Sequence, residues 1–204
     1  EAGLKPGVDF DSYLKISRPE AVVQVSERHG PNISNMTLGT YQAILTKLKA
    51  DVPDLFHIDL SGWGDPLDNP QLPEIIRSTH SLVPCTVTTR LTSERSVIEE
   101  VLYAEPTQFV VSVDGFNGSY KKNTSEDCWE IFLDRLHYLS ALQSQLAGNT
   151  EVRLRYNILK NNGGADFLAM QSLCRDLGIK MIKAIGYIDP YDLTLQLCKM
   201  GTIE

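Results

Sequence analysis

A short loop, Gly62-Trp63-Gly64-Asp65-Pro66, combines two glycines with an acidic side chain directly after an apolar run. Glycines reach positive φ angles and let a ligand lie close to the main chain, and a neighbouring carboxylate accepts hydrogen bonds from an ammonium group. The same aspartate could instead cap the helix that follows, which is a structural role. The loop therefore predicts either a pocket for an amino group or a capped turn, and the sequence leaves both open.

Polar residues also gather near the ends of three other strand-like runs. They are Thr88 and Arg90, then Ser112 and Asp114, then Arg153, Arg155 and Asn157. Hydroxyl, amide and carboxylate groups can hold the polar parts of a small ligand, and arginines favour a substrate that carries a carboxylate or another anion. The arginines could equally form structural ion pairs with Asp59, Asp65 and Asp114, and the sequence does not choose between these roles.

Strand-like runs alternate with amphipathic helical stretches along the chain. The predicted strands are 21–26, 55–61, 85–90, 108–114, 151–159 and 180–188, and the predicted helices lie at about 37–50, 71–81, 93–104, 125–147 and 165–177. Thr37 and Ser93 are predicted N-caps, and Gly178 is a predicted C-terminal stop. Strand and helix units that recur about every 30 residues are typical of βαβ crossovers and a parallel sheet.

The alternation of residue types within these strands distinguishes two parallel folds. His57, Asp59 and Ser61 share one face of their strand, opposite Phe56, Ile58 and Leu60, and the later strands alternate in the same way. His57 is best explained as a hydrogen-bonded strand histidine. A doubly wound sheet is covered by helices on both faces, whereas one wet face suits a barrel with a site at its strand ends. We therefore expect an α/β fold, a partial parallel (β/α)6 barrel.

The overall composition excludes several classes of protein. A net charge of -7 disfavours non-specific binding of nucleic acid. The apolar runs are too short to span a bilayer, so we expect no membrane partner. Four cysteines, Cys85, Cys128, Cys174 and Cys198, show no CxxC spacing, which disfavours a disulfide framework or a closed zinc site and favours the reducing cytoplasm.

Four segments, taken in order, resemble the strand-end motifs of the radical S-adenosylmethionine superfamily. They are LSGWGDPLDNPQLPEII, CTVTTRLT, VVSVDGFNGSYKK and EVRLRYNILKNN. The resemblance is strongest to the subgroup with a C-terminal cysteine-rich domain of the SPASM or twitch type, whose members often modify peptides. It covers residues 20–190, after an N-terminal lead of residues 1–19, and residues 191–204 resemble the start of the C-terminal extension. It implies the partial (β/α)6 barrel of this superfamily.

The resemblance also implies roles for individual residues. The loop Gly62, Trp63, Gly64 and Asp65 would hold the methionine amino group of S-adenosylmethionine. Ser112 and Asp114 would contact its ribose or methionine carboxylate, and Asn157 would contact its adenosine or carboxylate. Thr88 belongs to the same cofactor set, in a Thr-Thr-Arg tripeptide where many members have Thr-Asn-Gly. Two departures stand out, because Arg90 replaces that glycine and Asp65 is one methylene shorter than the usual glutamate.

The defining cluster motif of the superfamily is absent from this chain. Members hold a 4Fe-4S cluster with three cysteines, spaced CxxxCxxC, in the loop after the first strand, and thiolates are the ligands that such clusters require. The matching residues 25–37 contain no cysteine, and we assign no metal ligand and no catalytic residue. Either the protein is a degenerate member that has lost the cluster, or residues of the native loop are missing from this chain.

The expected function follows from the resemblance. A complete member would cleave S-adenosylmethionine with electrons from a reductant such as a flavodoxin or ferredoxin. The 5′-deoxyadenosyl radical that results would abstract hydrogen from a peptide or a small molecule. The alternative is a cluster-free protein that uses the same barrel as a ligand- or peptide-binding scaffold.

Overall fold

A computed structural model describes residues 35–62, 64–124, 128–143, 145–146, 149–159 and 161–185. Its strands are β1 (Ile58–Asp59), β2 (Cys85–Thr89), β3 (Gln108–Val113), β4 (Glu151–Ile158) and β5 (Lys180–Ile185). Its helices are α1 (Leu38–Asp51), α2 (Leu72–His80), α3 (Arg95–Tyr103), α4 (Gly118–Thr124), α5 (Trp129–Gln143) and α6 (Ala165–Asp176), with a 3-10 helix at Pro66–Asp68. The predicted strand at 21–26, the predicted lead at 1–19 and the extension at 191–204 lie outside the described residues.

The five strands form one parallel sheet in the order β1-β2-β3-β4-β5. Parallel neighbours in sequential order are joined by right-handed crossovers, which place successive helices on the same face of the sheet. A doubly wound sheet would reverse its strand order partway, and the described strands show no such reversal. The predicted α/β class and parallel sheet are confirmed, and the topology is compatible with a partial α/β barrel.

The two faces of the sheet differ sharply in burial. On the helix-covered face, eight side chains are at most 1% exposed: Cys85, Val87, Phe109, Val111, Val113, Val152, Leu154 and Tyr156. They pack with residues of α3, α5 and α6 such as Leu102, Leu136 and Met170 in one apolar core. On the other face Thr88, Ser112 and Arg155 are only half-buried. The alternation in the sequence thus predicted the apolar side of β3 and β4. It was wrong for Phe56, which is 83% exposed and lies before β1, because the predicted strand 55–61 is a strand only at Ile58–Asp59.

The ends of two helices follow the predicted capping residues. Thr37 caps α1, because its hydroxyl accepts a hydrogen bond from the Thr40 N–H at 3.2 Å. Gly178 follows the end of α6 with φ +66°. Its N–H donates to the Arg175 carbonyl at 3.1 Å, and the next N–H, that of Ile179, donates to a carbonyl of the last helical turn at 2.9 Å. This pattern of bonds ends a helix where glycine takes the left-handed conformation.

Two details of the helices differ from the prediction. Ser93 does not cap α3, because the helix starts at Arg95 and its N-cap residue, Glu94, makes no side-chain capping bond. The region predicted as one helix over 125–147 contains α5 only from Trp129, and the separate helix α4 precedes it. Tertiary packing explains α4, because the Tyr120 ring lies 5.3 Å from the Trp129 ring and anchors this short segment on α5.

None of the helices in the described part of the chain is long and apolar enough to cross a membrane.

Candidate functional site

Asp65 joins the glycine loop to the end of β2. Only 8% of this residue is exposed. One carboxylate oxygen accepts hydrogen bonds from the Thr89 hydroxyl at 2.9 Å and the Arg90 N–H at 2.8 Å. The other accepts from the Leu67 N–H at 3.1 Å and so caps the 3-10 helix. These three bonds use most of the acceptor capacity of Asp65 for the fold.

The glycine loop itself leaves open space beside its main chain. Gly62 and Gly64 pair with each other in an antiparallel bridge, and Gly64 has φ +87°, a conformation that favours glycine. Apart from the chain neighbours of each glycine, no atom of the described residues lies within 4 Å of the position that a Cβ would take at Gly62 or Gly64. A ligand can therefore approach this backbone closely. Trp63, which lies between the two glycines and was also predicted to contact the ligand, is outside the described residues.

Four of the predicted site residues meet at the carboxyl ends of β3 and β4. The Ser112 hydroxyl oxygen accepts hydrogen bonds from the Arg155 guanidinium at 3.2 Å and the Asn157 amide at 3.0 Å. The Asn157 amide also donates to one carboxylate oxygen of Asp114 at 2.7 Å. The register explains this convergence, because Ser112 is the direct partner of Arg155 in the parallel pair. We name Ser112, Asp114, Arg155 and Asn157 the β3–β4 cluster.

Asp114 keeps one acceptor oxygen that the described part of the fold does not use. It is half-buried, and its second carboxylate oxygen accepts no hydrogen bond from any residue that the structure describes. It lines a small recess of about 10 Å³ together with Arg90, Thr92, Ser112, Tyr120 and Thr124. Arg90 is exposed and forms no ion pair within the described ranges. The recess therefore presents one available carboxylate oxygen and one guanidinium group to a ligand.

A fully buried residue that the sequence analysis missed, Asn162, supports this cluster. Its amide group donates to the carbonyl oxygens of Asp114 at 2.7 Å and Asn157 at 2.9 Å. Its side-chain oxygen accepts from the Leu159 N–H at 2.7 Å, and its main-chain oxygen accepts from the Tyr156 hydroxyl at 2.6 Å. The pair of asparagines in the motif NILKNNGG is the signal that could have indicated such a role.

Arg153 and His57 make their contacts away from the recess. Arg153 pairs with Glu151 at 2.5 Å, near the amino end of β4, and this guanidinium lowers the pKa of the Glu151 carboxyl. None of the ion pairs among the described residues joins an arginine to Asp59, Asp65 or Asp114. His57 shares a hydrogen bond of 3.0 Å with the Thr86 hydroxyl, as predicted, but it lies immediately before β1 rather than within a strand.

Thr88 lies on the wet face of β2, between these two regions. Its N–H donates to the Ser61 hydroxyl oxygen at 3.0 Å, which ties the glycine loop to β2 a second time. Its side chain is half-buried, and its partner in β3 is Val110. Thr88 is therefore placed on the face that carries the β3–β4 cluster, one strand away from it.

The cysteines in the described ranges do not fit an iron-sulfur cluster. Cys85 and Cys174 are buried in the helix-side core, and burial raises the pKa of Cys174 to about 11. Cys128 is half-buried immediately before α5. A cluster needs three converging thiolates, and the described residues contain no group of three His, Cys, Asp or Glu side chains that could hold a metal ion.

A scan against protein-family models found no match, and a search of curated proteins also found none.

Proposed function

We propose that this chain is a barrel core of the radical S-adenosylmethionine type that binds S-adenosylmethionine at the carboxyl ends of its strands. The observation that carries the proposal is the convergence of Ser112, Asp114 and Asn157 at the carboxyl ends of β3 and β4, where Arg90 lines the same recess and is bonded to Asp65 of the glycine loop. Their groups match the chemistry of this ligand, because ribose hydroxyls and an ammonium group need acceptors such as the available oxygen of Asp114.

The residues divide this work between holding and orienting. Asp114 would accept hydrogen bonds from the ligand, while Asn157 and Ser112 fix the position of its carboxylate. The main chain at Gly62 and Gly64 would lie against the amino-acid end, and Arg90 would attract a carboxylate of ligand or substrate. The contribution of the protein is to hold ligand and substrate together and to keep water out, which lowers the entropic cost of reaction.

Radical chemistry in this superfamily depends on a 4Fe-4S cluster, which the cysteines among the described residues do not fit. We therefore assign to these residues the binding of S-adenosylmethionine and the positioning of a peptide or small-molecule substrate, and no radical step. A cluster-free binding scaffold is the second candidate. The burial of Cys85 and Cys174 on the helix side of the sheet favours it.

Isothermal titration of the full chain with S-adenosylmethionine tests the proposal. We expect binding, and we expect Asp114→Asn to weaken it by about tenfold or more, because hydrogen bonds to a charged group are worth about 1.5–3 kcal/mol. Asp134→Asn is the matched control, because Asp134 is an exposed residue of α5 that pairs with Arg95 of α3. Absence of binding by the unaltered chain, or equal affinity of the Asp114 variant, would contradict the proposed site.

A second measurement separates the enzyme from the scaffold. The chain is reconstituted anaerobically with iron and sulfide, assayed for both elements, and incubated with S-adenosylmethionine and dithionite. Bound cluster together with reductant-dependent 5′-deoxyadenosine would establish the enzyme. Binding of S-adenosylmethionine without iron, sulfide or product would establish the scaffold.

A further inference from the structure

The chain contains two asparagines that are each followed by glycine, and the fold surrounds them very differently. They are Asn117 before Gly118 and Asn162 before Gly163. In such a pair the main-chain nitrogen of the glycine can attack the side-chain amide carbon of the asparagine, because glycine has no Cβ to hinder the approach. This reaction deamidates the asparagine. The two pairs share this chemistry, so their surroundings in the fold decide whether it proceeds.

Asn117 lies in an exposed turn immediately before α4. Asn117 and Gly118 are both exposed, and Asn117 has φ +46°, a conformation that asparagine adopts more readily than most residues. The main-chain oxygen of Asn117 accepts a hydrogen bond from the Lys121 N–H at 3.0 Å, whereas its side-chain amide forms none with the described residues. The amide can therefore rotate towards the next peptide nitrogen.

The attacking nitrogen, that of Gly118, is also accessible. Gly118 is the first residue of α4, so its N–H has no acceptor within the helix. It donates no hydrogen bond to the other described main-chain groups. Apart from its chain neighbours and the main chain of α4, no described atom lies within 4 Å of the position that a Cβ would take at Gly118. The nitrogen and the amide carbon can therefore meet without displacing another residue.

Asn162 differs from Asn117 at each of these points. Its side chain is fully buried. The amide nitrogen donates to the carbonyl oxygens of Asp114 and Asn157, and the side-chain oxygen accepts from the Leu159 N–H. Deamidation would require these three bonds to break and water to enter, which is a local opening of the fold. The reaction at Asn162 therefore carries an energetic cost that the reaction at Asn117 does not.

We propose that Asn117 is a site of spontaneous deamidation in the folded protein, and that the fold protects Asn162 from the same reaction. The Gly118 nitrogen forms a bond to the side-chain carbon of Asn117 and loses its proton, and the amide nitrogen leaves as ammonia. Water then opens the resulting cyclic imide at either carbonyl, which gives aspartate or isoaspartate. The reaction needs only water, and it is independent of the proposed binding of S-adenosylmethionine.

The modification would change the helix that borders the recess. Either product places a new carboxylate immediately before α4, whose residues Tyr120 and Thr124 line the recess. Isoaspartate also lengthens the main chain by one methylene and so shifts the carbonyl oxygen to which the Lys121 N–H donates. Deamidation of Asn117 is therefore a chemical change next to the candidate site rather than at a remote surface.

Incubation of the full chain in mildly alkaline buffer, made with water labelled with heavy oxygen, tests the inference. Mass spectrometry of the fragments follows both pairs. We expect the Asn117 fragment to gain one solvent oxygen and to yield both aspartate and isoaspartate. The Asn162 fragment should react at least about tenfold more slowly, since an opening that costs about 1.4 kcal/mol slows a reaction tenfold. In concentrated urea, where the fold is lost, the two pairs should react at similar rates.

Two variants provide the controls. Gly118→Ala should slow the reaction at Asn117, because its Cβ hinders the attack, and it should fold normally because there is space for a Cβ and alanine is a better helix former. Gly163→Ala should leave the rate at Asn117 unchanged. Equal rates at the two asparagines in the folded chain, or an unchanged rate in Gly118→Ala, would overturn the inference. So would a reaction confined to Asn117 in urea, because the contrast would then come from the neighbouring sequence and not from the fold.

Discussion

Asp65 and Asp114 each follow a strand at the carboxyl edge of the sheet, yet the structure uses them differently. The carboxylate of Asp65 is 8% exposed and accepts three hydrogen bonds from the loops around it. Asp114 is half-buried, and one of its oxygens accepts no bond from the described residues. An acidic residue at a strand end is thus a candidate ligand-binding residue only when the neighbouring N–H and O–H groups leave one of its oxygens available.

The two regions also differ in what holds them together. The loop after β1 depends largely on the single carboxylate of Asp65, whereas a set of side-chain amides surrounds Asp114. Asn157 bonds its carboxylate, and Asn123 and Asn162 both bond its carbonyl oxygen. Mutations at Asp65 should therefore act mainly on stability, and mutations at Asp114 should act mainly on binding.

Substitution of Asp65 gives the largest expected change in stability. Asp65→Ala removes three charge-assisted hydrogen bonds and leaves the Thr89 hydroxyl and the Arg90 N–H without their partner. We expect a loss of about 3 kcal/mol in the free energy of unfolding, measured by urea denaturation. Asp114→Ala should cost about 1 kcal/mol or less. Equal losses in the two variants would remove the contrast between the two acids.

Asn162 tests whether the amides position Asp114. Asn162→Ala leaves a cavity, removes one hydrogen bond from each carbonyl oxygen of Asp114 and Asn157, and leaves the Leu159 N–H without its acceptor, so we expect a loss of about 2 kcal/mol in stability. We also expect weaker binding of S-adenosylmethionine at a temperature where the variant is folded. Asn161→Ala is the matched control, because Asn161 is an exposed neighbour that bonds only Asn123 among the described residues. Unchanged affinity in the Asn162 variant would show that its role is structural only.

Ionisation of the Tyr156 phenol makes the stability of the fold depend on pH in the alkaline range. Burial, followed by the nearby Asp166 carboxylate, raises the pKa of Tyr156 from 10.0 to about 12. The unfolded chain releases this proton at lower pH than the folded chain, so the stabilising contribution is complete below pH 10 and is lost as the pH rises towards 12.

Tyr156→Phe should be about 1 kcal/mol less stable than the unaltered chain at pH 7, because the Asn162 main-chain oxygen loses the hydrogen bond from the Tyr156 hydroxyl. The difference should shrink between pH 10 and pH 11. The comparison of urea unfolding at matched pH cancels the similar contribution of the Cys174 thiol, whose pKa is also raised. A difference that stays constant over this range would exclude a buried, neutral Tyr156.

Glu151 lies away from both acids and provides the smallest expected effect. The Arg153 guanidinium lowers the pKa of Glu151, so this pair stabilises the fold above the unfolded pKa of the carboxyl, and the contribution is lost as the pH falls through the folded value. Because the Glu151 side chain is 41% exposed, water screens the pair strongly. We expect Glu151→Gln to change urea unfolding at pH 7 within experimental error. A clear loss of stability would show that the Glu151–Arg153 pair is important for the fold at the amino end of β4.

The helix boundaries and the faces of the strands were largely predictable, and the partners of the site residues were not. Thr37 and Gly178 were identified as helix ends because capping depends on a few neighbouring residues. The available oxygen of Asp114 was not predictable, because it depends on Asn157, which lies 43 residues further along the chain. The short helix α4 was missed for a similar reason, since its stability comes from packing on Trp129 rather than from its own periodicity.

The sequence by itself determined the α/β class, the alternation that makes one face of the sheet apolar, and the grouping of polar residues at the strand ends. The tertiary structure alone decided that the Asp65 carboxylate is used by the fold, while one oxygen of Asp114 accepts no hydrogen bond from the described residues. The physical reason is the distance along the chain between the residues that interact. Periodicity and capping act over one or two turns, whereas the carboxylates of Asp65 and Asp114 meet Thr89 and Asn157 only after distant strands come into register.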